Sequence, residues 1–276
     1  MEVQNTAKRR NTILTVISIT GCCLVLAAAA LSGADRAFLY AAPVIVALIV
    51  VPFFVSFERD RPYAREIVLV AVMITLAVAS RAAFFWIPQF KPIIAVIIIA
   101  GAAMGAQKGF VVGSMSAFVS NFLFGQGPWT IFQMVAWGLI GMFAGLLFYR
   151  AAAGNGTMIN EVAAAENGSP GKNINDAYVN NDDPQTAKAP ATVQRKKIYA
   201  MMLYGAVSCF VLHGAITDIW TVLSISDRPT LAELMTVYSA GLIPDLVLAA
   251  ATVIFIALGA GPMLKKISRV QMKYMM

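Results

Sequence analysis

Apolar residues in this chain run nearly unbroken for about 20 positions at a time, instead of recurring at amphipathic spacing between polar ones. Eight such segments can be drawn, at 12–32, 36–57, 65–87, 91–107, 109–124, 129–150, 197–225 and 233–263. A helix of about 20 residues is ~30 Å long, the thickness of a bilayer's hydrocarbon core. In hydrocarbon each backbone N–H and C=O must find its partner within the protein, which open segments satisfy only as helices. The runs therefore predict an all-α integral membrane protein. Composition agrees: 59% of the residues are hydrophobic and 13% charged, against roughly a quarter charged in soluble domains. The fourth and fifth segments are short for a span. The last two are long enough to require tilt, a kink at Pro244 or interfacial ends.

Charge orients the segments. With the N-terminus inside, the inner loops and tails hold seventeen of the 21 Lys and Arg residues, while the outer loops keep Arg36, Lys91 and Arg228, and Arg81 lies within a span. The positive-inside bias thus places both termini in the cytosol. The formal charge of +7 does not point to nucleic acid, because the basic residues are scattered over short loops with no interleaved aromatics. The expected organisation is a cytosolic tail (1–11), two spans (12–57), four spans (65–150), a cytosolic loop (151–196), two spans (197–263) and a basic tail (264–276). The 151–196 loop is rich in Asn, Asp, Gly and Ala, cannot bury a core and is expected to be disordered. Near the N-terminus, Ile19-Thr20-Gly21-Cys22 resembles a lipoprotein cleavage box, but the apolar run continues past the cysteine, so an uncleaved span is expected.

Catalytic signatures are missing. Three cysteines and one histidine leave no ordinary zinc site, and neither a phosphate-binding Gly-rich loop nor a nucleophile elbow occurs. No metal or cofactor is expected, and uphill transport would draw on an ion gradient or on a partner.

Two residue patterns remain. Small residues recur at four-residue spacing in Ala71, Thr75, Ala79 and Ala83, and again in Gly101, Gly105, Gly109, Gly113 and Ala117. Such stripes let helices approach closely, either within the bundle or, with the first stripe the best candidate, against a partner subunit. In "FGQGPWTIFQMVAWGLIG" (124–141), Trp129, Gln133, Trp137, Gly141 and Gly145 are likewise four apart, a slowly winding helical stripe. Its aromatic and amide half suits a flat organic ligand, and its glycine half suits helix contact; an interfacial aromatic belt explains Trp129 but not the deeper Trp137. Ionisable residues at membrane depth point to function. Arg81, Asp218 and Asp245 are expected near the outer side, where they either pair with one another or meet a ligand; His213 is expected to be a hydrogen-bonded structural residue, and Glu233 to sit in solvent.

From Arg65 onward, "FKPIIAVIIIAGAAMGAQKGF", "SNFLFGQGPWTIFQM" and the Lys-rich end after "GLIPDLVLAAATVIFIALGAGPM" resemble the substrate-binding S component of energy-coupling factor (ECF) vitamin transporters, especially the cobalamin-type branch. The resemblance implies a six-helix S-component-like core, here preceded by two extra transmembrane helices. It implies a subunit that captures a vitamin-like small molecule from outside and docks on a transmembrane coupling subunit carrying two cytosolic ABC ATPases. The small-xxx-small docking motif then falls on Ala71, Thr75, Ala79 and Ala83. The residues expected at the ligand are Arg81, Phe85, Trp86, Asn121, Gln126, Trp129, Gln133, Trp137, Asp218 and Asp245. Two rival readings are an ion-coupled secondary transporter that uses Asp218, Asp245 and His213, and a membrane scaffold or sensor that recruits a partner through 151–196.

Overall fold

The computed structural model describes residues 64–149, 191–226 and 229–274, with scattered helical positions between 20 and 50. The N-terminal tail, most of the first two expected spans and the loop up to residue 190 lie outside the described residues. Those described are entirely helical apart from turns: α1 (Ala64–Ala83), α2 (Ile93–Met104), α3 (Ala106–Phe124), α4 (Trp129–Ala144, extended by a π-helical turn Gly145–Tyr149), α5 (Ala191–Ser208), a π-helical turn Cys209–Gly214, α6 (Ala215–Ile225) and α7 (Leu231–Tyr274). Four of the described helices are long and apolar enough to cross a membrane: Ala64–Ala83, Trp129–Tyr149, Arg195–Ile225 and Leu231–Gln271. The chain is an all-α integral membrane protein.

The core is built around α2. Its sequence, IIAVIIIAGAAM, is apolar on every side and nearly every residue in it is buried. At 12 residues it is only ~18 Å long, too short to span a bilayer alone. It packs instead against α1, α3, α4, α5 and α7. A helix hydrophobic all round is suited to a protein core or to lipid, and α2 lies in the core.

Glycine decides how close those neighbours come. A Cβ placed on Gly101 of α2 or Gly109 of α3 would overlap the Gly141 carbonyl of α4; one on Gly113 would overlap the Trp137 carbonyl; and one on Gly145 would overlap the backbone of Ala106. Backbone therefore lies on backbone where α2, α3 and α4 meet. The second small-residue stripe and the glycine half of the α4 stripe both belong to this internal seam. Gly105 alone joins α2 to α3, with φ 91°, a conformation open to glycine at no steric cost.

Tyr204 Oη of α5 donates to the Ile140 carbonyl at 2.7 Å, and Gln271 of α7 donates to the Ala103 carbonyl at 3.1 Å. Lys108 and Glu66 pair at 2.8 Å, joining the starts of α1 and α3 at that same end of the bundle. The opposite end carries the turns 84–92 and 125–128. α7 runs without a break through Pro244 and Pro262 and continues through the segment read as a C-terminal tail. Its 44 residues extend ~66 Å; proline is tolerated in such helices because neighbouring groups satisfy the carbonyl it frees.

Candidate functional site

The last turn of α1 carries Arg81. Immediately beyond it "FFWIPQFK" folds into a tight turn, with the Phe90 N–H donating to the Pro88 carbonyl at 2.7 Å across Gln89, whose φ is 56°. Helix C-termini leave carbonyls without intrahelical partners. Here Lys91 supplies them, its Nζ donating to the carbonyls of Phe84, Phe85 (3.2 Å) and Ile87 (2.7 Å). Burial first, and then the nearby Arg81 charge, lower the Lys91 pKa from its ordinary value. Lys91 is thus committed to holding the turn.

Arg81 is placed differently. Its Nη1 donates to Ser120 Oγ and, at 2.8 Å, to Asn121 Oδ1 of α3. The guanidinium carbon lies 4.2 Å from the Phe124 ring centroid and 5.2 Å from that of Trp137, within the range of a cation–π attraction. Among the described residues no carboxylate pairs with it. Nη1 makes both bonds, and Nε and Nη2 make none to a described residue.

The bond from Arg81 fixes its neighbours in sequence. Asn121 Oδ1 must accept, so its Nδ2 points the other way, donating to Thr130 Oγ1 at 3.0 Å and to Gln133 Oε1 at 2.8 Å. That orients the Gln133 amide with its Nε2 donors unclaimed by any described residue. Thr130 donates in turn to Gln126 Oε1 at 3.0 Å, and Gln126 Nε2 to the Phe118 carbonyl at 3.0 Å, locking the 125–128 turn. One helical turn inward of Gln133, Trp137 Nε1 donates to His213 Nδ1 at 3.1 Å. This bond requires an unprotonated Nδ1, leaving the ring proton on Nε2. His213 reaches Trp137 from the π-helical turn Cys209–Gly214, an irregularity often found at functional sites.

These groups surround a cavity of about 240 Å³. Arg81, Gln133 and Trp137 form its polar and aromatic wall with Phe85, Phe124, Lys91 and His213, and Pro88, Gln89, Ile93 and Leu248 complete it. Two cations and no described carboxylate line it, so it suits an anionic or acceptor-rich ligand. Ring faces flanking amide and guanidinium donors suit one that is flat.

The sequence-derived candidates divide. Arg81, Phe85, Gln133 and Trp137 line the cavity, and Asn121 lies behind it as the hub that orients two of them. Trp86 is 87% exposed and Trp129 is exposed against Gly127; neither lines the cavity. Gln126 serves the turn. Asp218 and Asp245 line a separate cavity of about 300 Å³, and among the described residues neither pairs with Arg81. The expected meeting of the three charges is replaced by an Arg81 that α3 satisfies. Ala71, Thr75, Ala79 and Ala83 are all exposed along α1, with Thr75 Oγ1 turned back to the Ala71 carbonyl at 2.9 Å. Phe124, Ser120 and Lys91 were not expected here. Phe124, three residues after Asn121, shares its helix face, and that spacing was the available signal.

No curated protein and no solved structure matches the chain. A family model does, over residues 63–165, under half of the chain but including α1 to α4 and the turns between them. The part of the molecule that contributes Arg81, Asn121, Gln133 and Trp137 is thus similar to the family described as ECF-type riboflavin transporter, S component.

Proposed function

We propose that this protein is the substrate-binding membrane subunit of an ECF-type vitamin importer and that its ligand is a flat, heteroaromatic vitamin of the riboflavin kind. The observation that carries this reading is the Arg81 guanidinium, without a carboxylate partner among the described residues, set beside the Phe124 and Trp137 rings at the wall of a cavity. A tricyclic ring with carbonyl and imine acceptors along one edge stacks on such rings and takes its hydrogen bonds from Arg81 and Gln133. A corrinoid is several times larger than about 240 Å³, which favours the riboflavin class over the cobalamin class. With the basic loops inside, the cavity opens to the extracellular side. Delivery then requires a coupling subunit and two cytosolic ATPases, with Ala71, Thr75, Ala79 and Ala83 as the docking face.

Titration of the purified full chain with riboflavin, followed by quenching of flavin fluorescence, tests the reading. Saturable binding is expected, weakened about tenfold or more by Trp137→Ala and about 2- to 10-fold by Gln133→Ala, the span that one neutral hydrogen bond supports. Binding of cyanocobalamin with no binding of riboflavin would overturn the ligand class. Affinity unchanged in both variants would remove this cavity from the function.

A further inference from the structure

The second cavity, about 300 Å³, lies between the π-helical turn with α6 on one side and α7 on the other. Each side supplies a carboxylate and a glycine to receive the other's. A Cβ on Gly241 of α7 would overlap Asp218 of α6, and a Cβ on Gly214 would overlap Asp245 of α7. Asp245 is 9% exposed and lines the cavity. Among the described residues it has neither a hydrogen bond nor an ion pair, and Asp218 has none either. No described cationic side chain lines the cavity, and Arg81 bonds to α3 while His213 Nδ1 accepts from Trp137. Tyr238 Oη donates to the Ala215 carbonyl at 3.0 Å and Ser239 Oγ to the Thr236 carbonyl at 2.9 Å, so both offer the site lone pairs and no proton.

An unpartnered carboxylate at an apolar cavity either takes up a proton or stays charged beside a compensating positive charge. A bare metal ion fits poorly, because the space far exceeds one ion and Phe210, Met235 and Leu242 line it with carbon. An ammonium group on a small apolar body fits both halves. The carboxylates of Asp218 and Asp245 and the Ser239 hydroxyl that line the cavity suit its N–H donors, and Phe210 and Leu242 suit its carbons. We infer that the Asp218–Asp245 cavity is a binding site for a primary organic amine, separate from the Arg81 cavity and opposite to it in charge preference. The amine comes either from a free solute or from the headgroup of an aminophospholipid, since Leu242 and Met235 at its rim are exposed.

The test uses the purified full chain in phosphatidylcholine nanodiscs, with n-butylammonium as probe and n-butanol and sodium chloride as controls. Thermal unfolding is followed as each is titrated. The expected result is a saturable rise in melting temperature with n-butylammonium alone, its half-saturation raised at least tenfold by Asp245→Asn. Should that variant fail to fold, Asp218→Asn, on the more exposed carboxylate, carries the same expectation. Gln133→Ala, whose only described bond is to Asn121, is expected to leave the amine response unchanged while weakening riboflavin, so the two cavities fail or succeed separately. Equal shifts from n-butanol or sodium chloride, no saturable shift, or an amine response undiminished in the Asp variants would overturn the assignment. Discs containing phosphatidylethanolamine separate the sources: a blunted n-butylammonium response identifies the lipid headgroup, and an undiminished one a free amine.

Discussion

Arg81 shows what one residue contributes and why the sequence disclosed only part of it. An arginine inside an apolar run is visible at once as costly, and its cost predicts a partner. From sequence that partner is either an aspartate, Asp218 or Asp245, or a ligand, with nothing to choose between them. In the structure Ser120 and Asn121 take one nitrogen, and two rings take the guanidinium face. Both solutions need residues from other helices, and no local spacing says which helix arrives. A planar cation stacked on rings is not replaced by an ammonium on a flexible stem. Arg81→Lys is therefore expected to keep the charge, lose the stacking and the fixed donor geometry, and weaken riboflavin binding about tenfold, or ~1.4 kcal/mol. Binding equal to that of the unaltered protein would show that charge alone matters there. Gln133 and Trp137 were more legible. Four-residue spacing put them on one stripe, and depth separated Trp137 from the exposed Trp129.

At the scale of elements, the same four-residue grammar had two outcomes. The glycines of α2, α3 and α4 meet backbone to backbone, whereas the small residues of α1 remain exposed. Spacing shows that a helix can be approached closely, but not by what. The difference follows from where each helix lies: α2, too short to span, is enclosed by five helices, while α1 buries only Val70, Met73 and Ala77. A side chain added in the seam meets a carbonyl rather than a movable side-chain end. Gly141→Val is thus expected to cost at least the ~1–3 kcal/mol typical of overpacking, seen as a lower melting temperature in detergent. Ala79→Val, of similar added bulk on the exposed face, is expected to leave it unchanged. Equal melting temperatures for all three proteins would dismiss the seam as a determinant of stability. The length of α7 was less readable. Its apolar run ends near 263, and nothing in hydropathy alone shows that Leu264 to Tyr274 continue the helix, which Gln271 fastens to the Ala103 carbonyl.

For the whole molecule, the proposed tasks fall on different faces. The Arg81 cavity draws on α1, α3, α4 and the turn containing His213, while the exposed stripe of α1 points away from the core those helices share. α1 joins the two: Arg81 sits in its last turn, and Ala83, the outermost stripe residue, lies two positions on. A bulky residue at Ala83, which ends α1 beside the turn carrying Phe85 and Lys91, disturbs both functions, whereas Ala79 lies one helical turn below it on the same open face. Ala79→Trp is therefore the separating variant. If the stripe docks a coupling subunit, tryptophan there removes the close approach on which small-residue helix contacts depend, without reaching the cavity. Riboflavin affinity of the purified chain should then stay within twofold of the unaltered protein. Coupling subunit and ATPases should no longer co-purify when expressed with it, and ATP-dependent uptake should be lost. Uptake that persists with Ala79→Trp would place docking on another face. Uptake that also survives deletion of the ATPases would set aside the importer reading in favour of a self-sufficient transporter.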